Sequence, residues 1–352
     1  MSKRSRIEDL RSVMIARTDG LGDVIVTLPM AMTLKEHLPE AEVAFLVSPY
    51  TAPIVRRIAE VDHVFTVDAK GRGLKALRAY RPDAIVFAKP ELRLALDAVL
   101  ARIRVRIGTG YRFYSGLFTH WVYEHRKLGG KHEAQYGVNL LGPLLPGELD
   151  VRLPSLQVSA AGDEEARERL KDAGIDGDYI VMHPGSRGSA GAYPVARYAE
   201  VARAMMSEHP RLAVVVTAGP GEERLAGEVV AEAGDVGTIR AVGGITLDGL
   251  SELLRGARCF LGSSSGPAHL ASLAGTPVVG LYPGLPPTWP VRWRPLGERV
   301  ITLTPVPEES RCSGCGNGHE PENCVARIAP GRVVDALGAV LACPAPSVEP
   351  TA

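Results

Sequence analysis

An excess of either sign of charge is missing from this sequence: forty lysines and arginines stand against forty aspartates and glutamates. A chain without net charge carries no polyelectrolyte field, and nucleic acid is therefore not an expected partner. Aromatic residues are scarce, at 5%. No apolar run approaches the roughly 20 residues that a membrane-spanning helix requires. Residues 1–11 are polar and charged and lack the apolar centre of a secretory signal, so a cytoplasmic protein is expected. Cysteine is also rare, five residues in 352, which excludes a disulfide-stapled secreted scaffold. No G-x-x-x-x-G-K-[ST] loop is present, which excludes a P-loop nucleotidase. Gly20-Leu21-Gly22-Asp23-Val24-Ile25 supplies two glycines of a dinucleotide fingerprint but places Ile25 where the third small residue belongs.

What the sequence does have is an ordinary globular composition, 45% apolar and 23% charged, and enough length for two domains. Short apolar strands are expected at 12–17, 42–47, 64–67 and 84–87, separated by amphipathic helices. After a proline-rich stretch at 142–159, which reads as a linker, a second alternating series begins. It predicts strands at 179–182, 212–217, 239–242, 259–261 and 277–281, with helices at 163–173, 195–208, 225–233, 247–256 and 267–274. The pattern predicts an α/β protein of two doubly wound halves facing a central cleft. The expected boundaries are 1–155, 156–330 and a tail, 331–352, whose helix at 332–341 crosses back to the N-terminal domain.

Ligands of open parallel sheets bind beyond the carboxyl ends of the strands, so the turns at 18–23, 183–191, 218–223 and 262–269 carry the expected site. Residues 262–270 run from strand to helix through Ser263, Ser264 and Ser265. A helix N-terminus with hydroxyls beside it suits a diphosphate; it also suits an ordinary capped helix. Asp23 follows two glycines at a helix start. There it serves either as a favourable first-turn acid or as a base that takes a proton from a nucleophilic hydroxyl.

Residues 102–131 depart from the neutral average, with seven basic side chains against Glu124 alone. Interleaved aromatics make this stretch amphipathic, and Arg104, Arg106 and Arg112 are expected to receive an anionic partner. The cysteines cluster as Cys312-Ser313-Gly314-Cys315 with Cys324 following. With Cys343 or His319 they could close a structural zinc or iron site; otherwise they are reduced thiols.

Four short motifs occur together: Arg17-Thr18-Asp19-Gly20-Leu21-Gly22-Asp23; His183-Pro184-Gly185-Ser186; Thr217-Ala218-Gly219-Pro220-Gly221-Glu222; and Ser264-Ser265-Gly266-Pro267-Ala268-His269. In this order and spacing the chain resembles the ADP-heptose:lipopolysaccharide heptosyltransferases, glycosyltransferase family 9. The resemblance implies a GT-B fold and inverting transfer of a sugar from a nucleotide diphosphate, ADP-linked, without a metal cofactor. It implies Asp23 as general base. Gly22, His183, Ser186, Arg187, Gly219, Glu222, Ser264, Ser265, Gly266 and His269 are the implied donor contacts. The acceptor would be an anionic or lipid-linked glycan at the inner face of the membrane. Family members commonly carry an acid where Ser264 stands and a lysine where Gly191 stands, and Arg187 is positioned to replace the lost positive charge. A sugar-nucleotide epimerase or hydrolase of the same fold, and a non-catalytic sugar-nucleotide-binding protein, are the alternatives.

Overall fold

Val13, Met14, Ile15 and Ala16 are shielded from water on every side. Their strand, β1 (Ser12–Ala16), pairs in parallel with β2 (Glu42–Val47) on one edge and β4 (Ala84–Phe87) on the other. Strands covered by helices on both faces read as continuous apolar runs, and these do. The computed structural model describes residues 10–126, 129–186, 192–284, 288–305 and 324–342. Its contacts fall into two units, Met1–Val158 and Ser159–Ala352.

In the first unit β1 is followed by α1 (Leu21–Ile25), α2 (Pro29–His37), β2, α3 (Ala52–Val55), β3 (His63–Thr66), α4 (Leu74–Tyr80) and β4. Then come α5 (Leu92–Leu100), β5 (Val105–Thr109), β6 (His120–Val122) and α6 (Glu133–Asn139). The six strands are all parallel, in the order β3-β2-β1-β4-β5-β6. Met14, Leu46, Ile85, Phe87, Leu94 and Phe118 form part of the core on one face of this sheet.

The second unit runs α7 (Ala160–Asp172), β7 (Tyr179–His183), α8 (Val195–Glu208), β8 (Ala213–Thr217), α9 (Glu223–Ala233), β9 (Ile239–Val242) and α10 (Leu247–Gly256). It continues with β10 (Cys259–Ser263), α11 (Gly266–Leu273), β11 (Val278–Leu281), α12 (Pro290–Trp293), β12 (Val300–Leu303) and α13 (Pro330–Ala342). Its sheet, β12-β11-β10-β7-β8-β9, repeats the connectivity of the first. Side-chain caps fix helix starts: Ser159 accepts from Gly162 N at 3.1 Å, and Thr246 from Gly249 N at 3.0 Å.

Three expectations change. Residues 142–158 are no loose linker, since Leu144, Leu145, Leu149 and Leu156 are buried and Leu156 bridges Ile58, so the first unit extends to Val158. The basic stretch at 102–131 contains β5 and the edge strand β6, the last two strands on one side of the sheet, whose alternation with arginine and histidine hid them. The last helix, expected to return to the N-terminal domain, places Val333, Ala336 and Leu337 in the core of the second unit. Its apolar face is legible from the 3.6-residue period, but the period does not say which core receives it.

Candidate active site

In each unit the first strand lies where the strand order reverses: β1 between β2 and β4, β7 between β8 and β10. The crevice at such a reversal is where open parallel sheets bind ligands. All four motifs read from the sequence leave strands at these carboxyl ends.

In the first unit the chain leaves β1 at Arg17, whose side chain turns inward and is only 5% exposed. Its Nε donates to Asp19 Oδ1 at 2.7 Å, Nη2 donates to Asp23 Oδ1, and Nη1 lies 3.7 Å from Glu133 Oε1. Glu133, on α6, is 3% exposed and also accepts from Arg126 Nη1 at 2.8 Å. Two guanidinium groups and three carboxylates therefore interlock. Burial pulls the Arg17 pKa down, but Asp19, Asp23 and Glu133 outweigh it and hold the group charged, with its pKa above the ordinary value. Asp19 moves up, chiefly because burial disfavours its charged form, despite Arg17.

Asp23 stands in the first turn of α1 and is 30% exposed, the most open carboxylate of the three. Gly20 lies against it: a Cβ there would stand 3.1 Å from Asp23 Oδ2. One oxygen of Asp23 is thus fixed by a buried cation, while the other borders a glycine that leaves space beside it. Gly22, expected as a donor contact, lies within α1, its carbonyl accepting from Val26 N at 3.0 Å.

The three arginines expected to receive an acceptor separate. Arg112 lies beyond the carboxyl end of β5, the end of the sheet that carries Asp23. Arg104 is exposed at the opposite end, before Val105. Arg106 is committed to the backbone, its Nε donating to Leu117 O at 2.7 Å and Nη1 to Ile103 O, and it serves as a brace.

In the second unit His183 ends β7 and is 4% exposed, with Nδ1 3.0 Å from Thr217 Oγ1 and Nε2 3.6 Å from Glu222 Oε2. Glu222 Oε2 accepts from Gly219 N at 3.1 Å. The carboxylate also lies over Gly185: a Cβ there would fall 2.1 Å from Glu222 Oε2. Gly185 therefore lets the Glu222 carboxylate lie against its backbone, which brings the His-Pro-Gly-Ser and Ala-Gly-Pro-Gly-Glu turns together. Ser186 ends the described part of the first turn; Arg187 lies outside the described residues.

β10 delivers Ser263, Ser264 and Ser265 to the start of α11. Ser265 is the residue before the helix, in extended conformation, and its hydroxyl caps no backbone N–H. Its Oγ is buried with no hydrogen-bond partner among the described residues. Ser264 is half-buried just past the end of β10. Gly266 opens the helix and His269, 4% exposed, lies one turn in, where it packs as part of the element. A helix N-terminus with a buried, unpaired hydroxyl beside it offers the donors that an anion requires.

Sequence reasoning passed over Arg17, Glu133, Arg126 and Thr217 as site residues. A signal for Arg17 existed: a cation directly after an apolar strand, with acids two and six residues on. Glu133 and Arg126 reach the site only through the fold. Of the cysteines, Cys312, Cys315 and Cys343 lie outside the described residues, as does His319, and Cys324 is a free, half-buried thiol. Among the described residues no group of three or more histidine, cysteine or acidic side chains could hold a metal ion, and no helix is long and apolar enough to cross a membrane.

Two six-stranded parallel α/β units of this topology, with polar turns at both reversal points, have the fold of the GT-B class. The profile of glycosyltransferase family 9 (heptosyltransferase) matches residues 71–320, and the chain belongs to that family. It is similar to lipopolysaccharide heptosyltransferase 3 of Escherichia coli, 27% identical over 299 residues covering 80% of this chain and 85% of the relative. Among solved structures it is similar to a family 9 glycosyl transferase from Veillonella parvula, with TM-score 0.81 and 19% identity over 94% of this chain and 97% of that one. E. coli ADP-heptose LPS heptosyltransferase II is also similar, with TM-score 0.75 and 21% identity over 95% and 99%.

Proposed function

We propose that this glycosyltransferase moves a heptose from ADP-heptose to a hydroxyl of an anionic, lipid-linked glycan, with inversion and without a metal cofactor. The observation that carries the reading is Asp23, held by the buried Arg17 at the carboxyl end of β1 with one oxygen left over.

The acceptor hydroxyl gives its proton to Asp23 while its oxygen forms a bond to the anomeric carbon. The bond from that carbon to the diphosphate oxygen breaks, and ADP departs with the electron pair. A single displacement of this kind inverts the anomeric centre. Charge developing on the leaving diphosphate is met by the first N–H groups of α11 and the Ser265 hydroxyl, fixed dipoles that need no reorganisation. His183, Ser186, Arg187, Gly219, Glu222, Ser264, Gly266 and His269 form or support the donor site, and Arg112 contacts the acceptor. The heptose and ADP assignments are supported by the names of the similar enzymes. The place of action is the cytoplasm, at the inner face of the membrane.

A binding screen with ADP-, GDP-, UDP- and dTDP-linked sugars tests the donor. ADP-heptose should bind at least tenfold more tightly than the other three. Preference for a uridine or guanosine donor would overturn the assignment.

A further inference from the structure

Helix α5 is apolar on both its inner and its outer face. Its inner face buries Leu94, Ala95 and Ala98, and Asp97 as well, the carboxylate accepting from Arg72 Nε at 2.8 Å and Gly73 N at 2.9 Å. Its outer face carries Leu92, Leu96, Val99 and Leu100, all exposed, at the spacing that aligns side chains along one helical stripe. Phe113 is 91% exposed. It stands beside this helix: its ring packs edge-on against Tyr114 at 5.1 Å, and Tyr114 packs against the core that takes Leu94, Ala95 and Ala98 from α5. Contiguous exposed apolar surface of this kind marks an interaction site.

Charge identifies the partner. From residue 92 to 123 the chain holds five arginines and one acid, and that acid is the buried, paired Asp97. Arg93, Arg102 and Arg104 border the stripe, with Arg112 beside Phe113. A second copy of the same face would set these guanidinium groups against each other. An anionic phospholipid surface accepts both components: leucine and phenylalanine enter the headgroup boundary, and arginines meet phosphate while their stems lie along the apolar layer.

We infer that α5 and the Phe113 turn form a membrane-docking surface that seats this unit on anionic lipid. The helix begins beside the candidate base: Thr18 Oγ1, in the turn that carries Asp23, donates to Glu91 Oε1 at 2.8 Å. From there the stripe runs for about 12 Å along the unit, at 1.5 Å per helical residue. Docking would hold the Asp23 turn close to the lipid surface, where a lipid-linked acceptor presents its sugar.

The test needs no donor, so it fails or succeeds independently of the transfer reaction. The full chain is sedimented with vesicles of phosphatidylcholine alone and of phosphatidylcholine mixed with phosphatidylglycerol, at low and high salt. The parent should bind the mixed vesicles, less at high salt, and bind neutral vesicles weakly. Leu96→Glu combined with Phe113→Glu alters only exposed positions and should weaken binding tenfold or more, given the apolar area withdrawn, with an unchanged melting curve. Undiminished binding of the double variant would overturn the inference. So would absence of parent binding to the mixed vesicles, or a dimer in sedimentation velocity that the same substitutions dissolve.

Discussion

Arg17 is the residue on which the candidate base depends. It is buried and faces Asp19, Asp23 and Glu133, so its removal would leave carboxylates without their cation. Arg17→Met should cost about 3–5 kcal/mol of stability in urea denaturation. Arg17→Lys should cost less, yet lose the forked geometry that only a guanidinium supplies. Asp19 adds a pH dependence of definite sign. Burial raises its folded-state pKa above the unfolded value, so the folded chain retains that proton to higher pH. Its contribution is therefore most favourable below the ordinary aspartate value of about 4 and declines as pH rises through the raised native value. Asp19→Asn keeps an oxygen for Arg17 Nε and removes the titration, so its stability relative to the parent should improve across that window. Denaturation at a series of pH values reads the difference directly.

At the scale of elements, the proposed binding falls to turns at strand ends, and glycines let those turns approach. Gly185→Ala pushes the Glu222 carboxylate, the end of a flexible side chain, out of its place and should weaken donor binding with little change in stability. Combining it with Glu222→Ala should cost less than the sum of the two single changes, because both act on one contact. Ser265→Ala deletes a buried hydroxyl that has no partner among the described residues, so it should leave stability unchanged or raised. Donor affinity should nevertheless fall about tenfold or more, as for a lost bond to a charged group. The elements that were legible in the sequence are those whose apolar runs are unbroken, such as β2 and β8, or whose caps are conventional, such as Thr246 before α10. β5 and β6 were not legible, because β6 is an edge strand that admits His120 and β5 beside it carries Arg106, whose side chain braces the backbone.

For the whole molecule, the two doubly wound halves were readable from two alternating series, since parallel strands buried on both faces leave a strong apolar signature. The attachment of α13 to the second unit was not readable, because amphipathicity defines a face and not its neighbour. The Arg17 network was likewise hidden, for it joins residues 17, 23, 126 and 133 through tertiary structure alone. If helix dipole and hydroxyls suffice for the diphosphate, transfer should persist undiminished in excess EDTA, and loss of activity restored by a divalent cation would assign that role to a metal. The central claim is the role of Asp23. The decisive measurement is transfer of labelled heptose by the full chain and by Asp23→Asn, with donor affinity determined in parallel by calorimetry. Transfer should fall about a hundredfold or more in the variant while ADP-heptose affinity is kept. Transfer at the parent rate by Asp23→Asn would contradict the account.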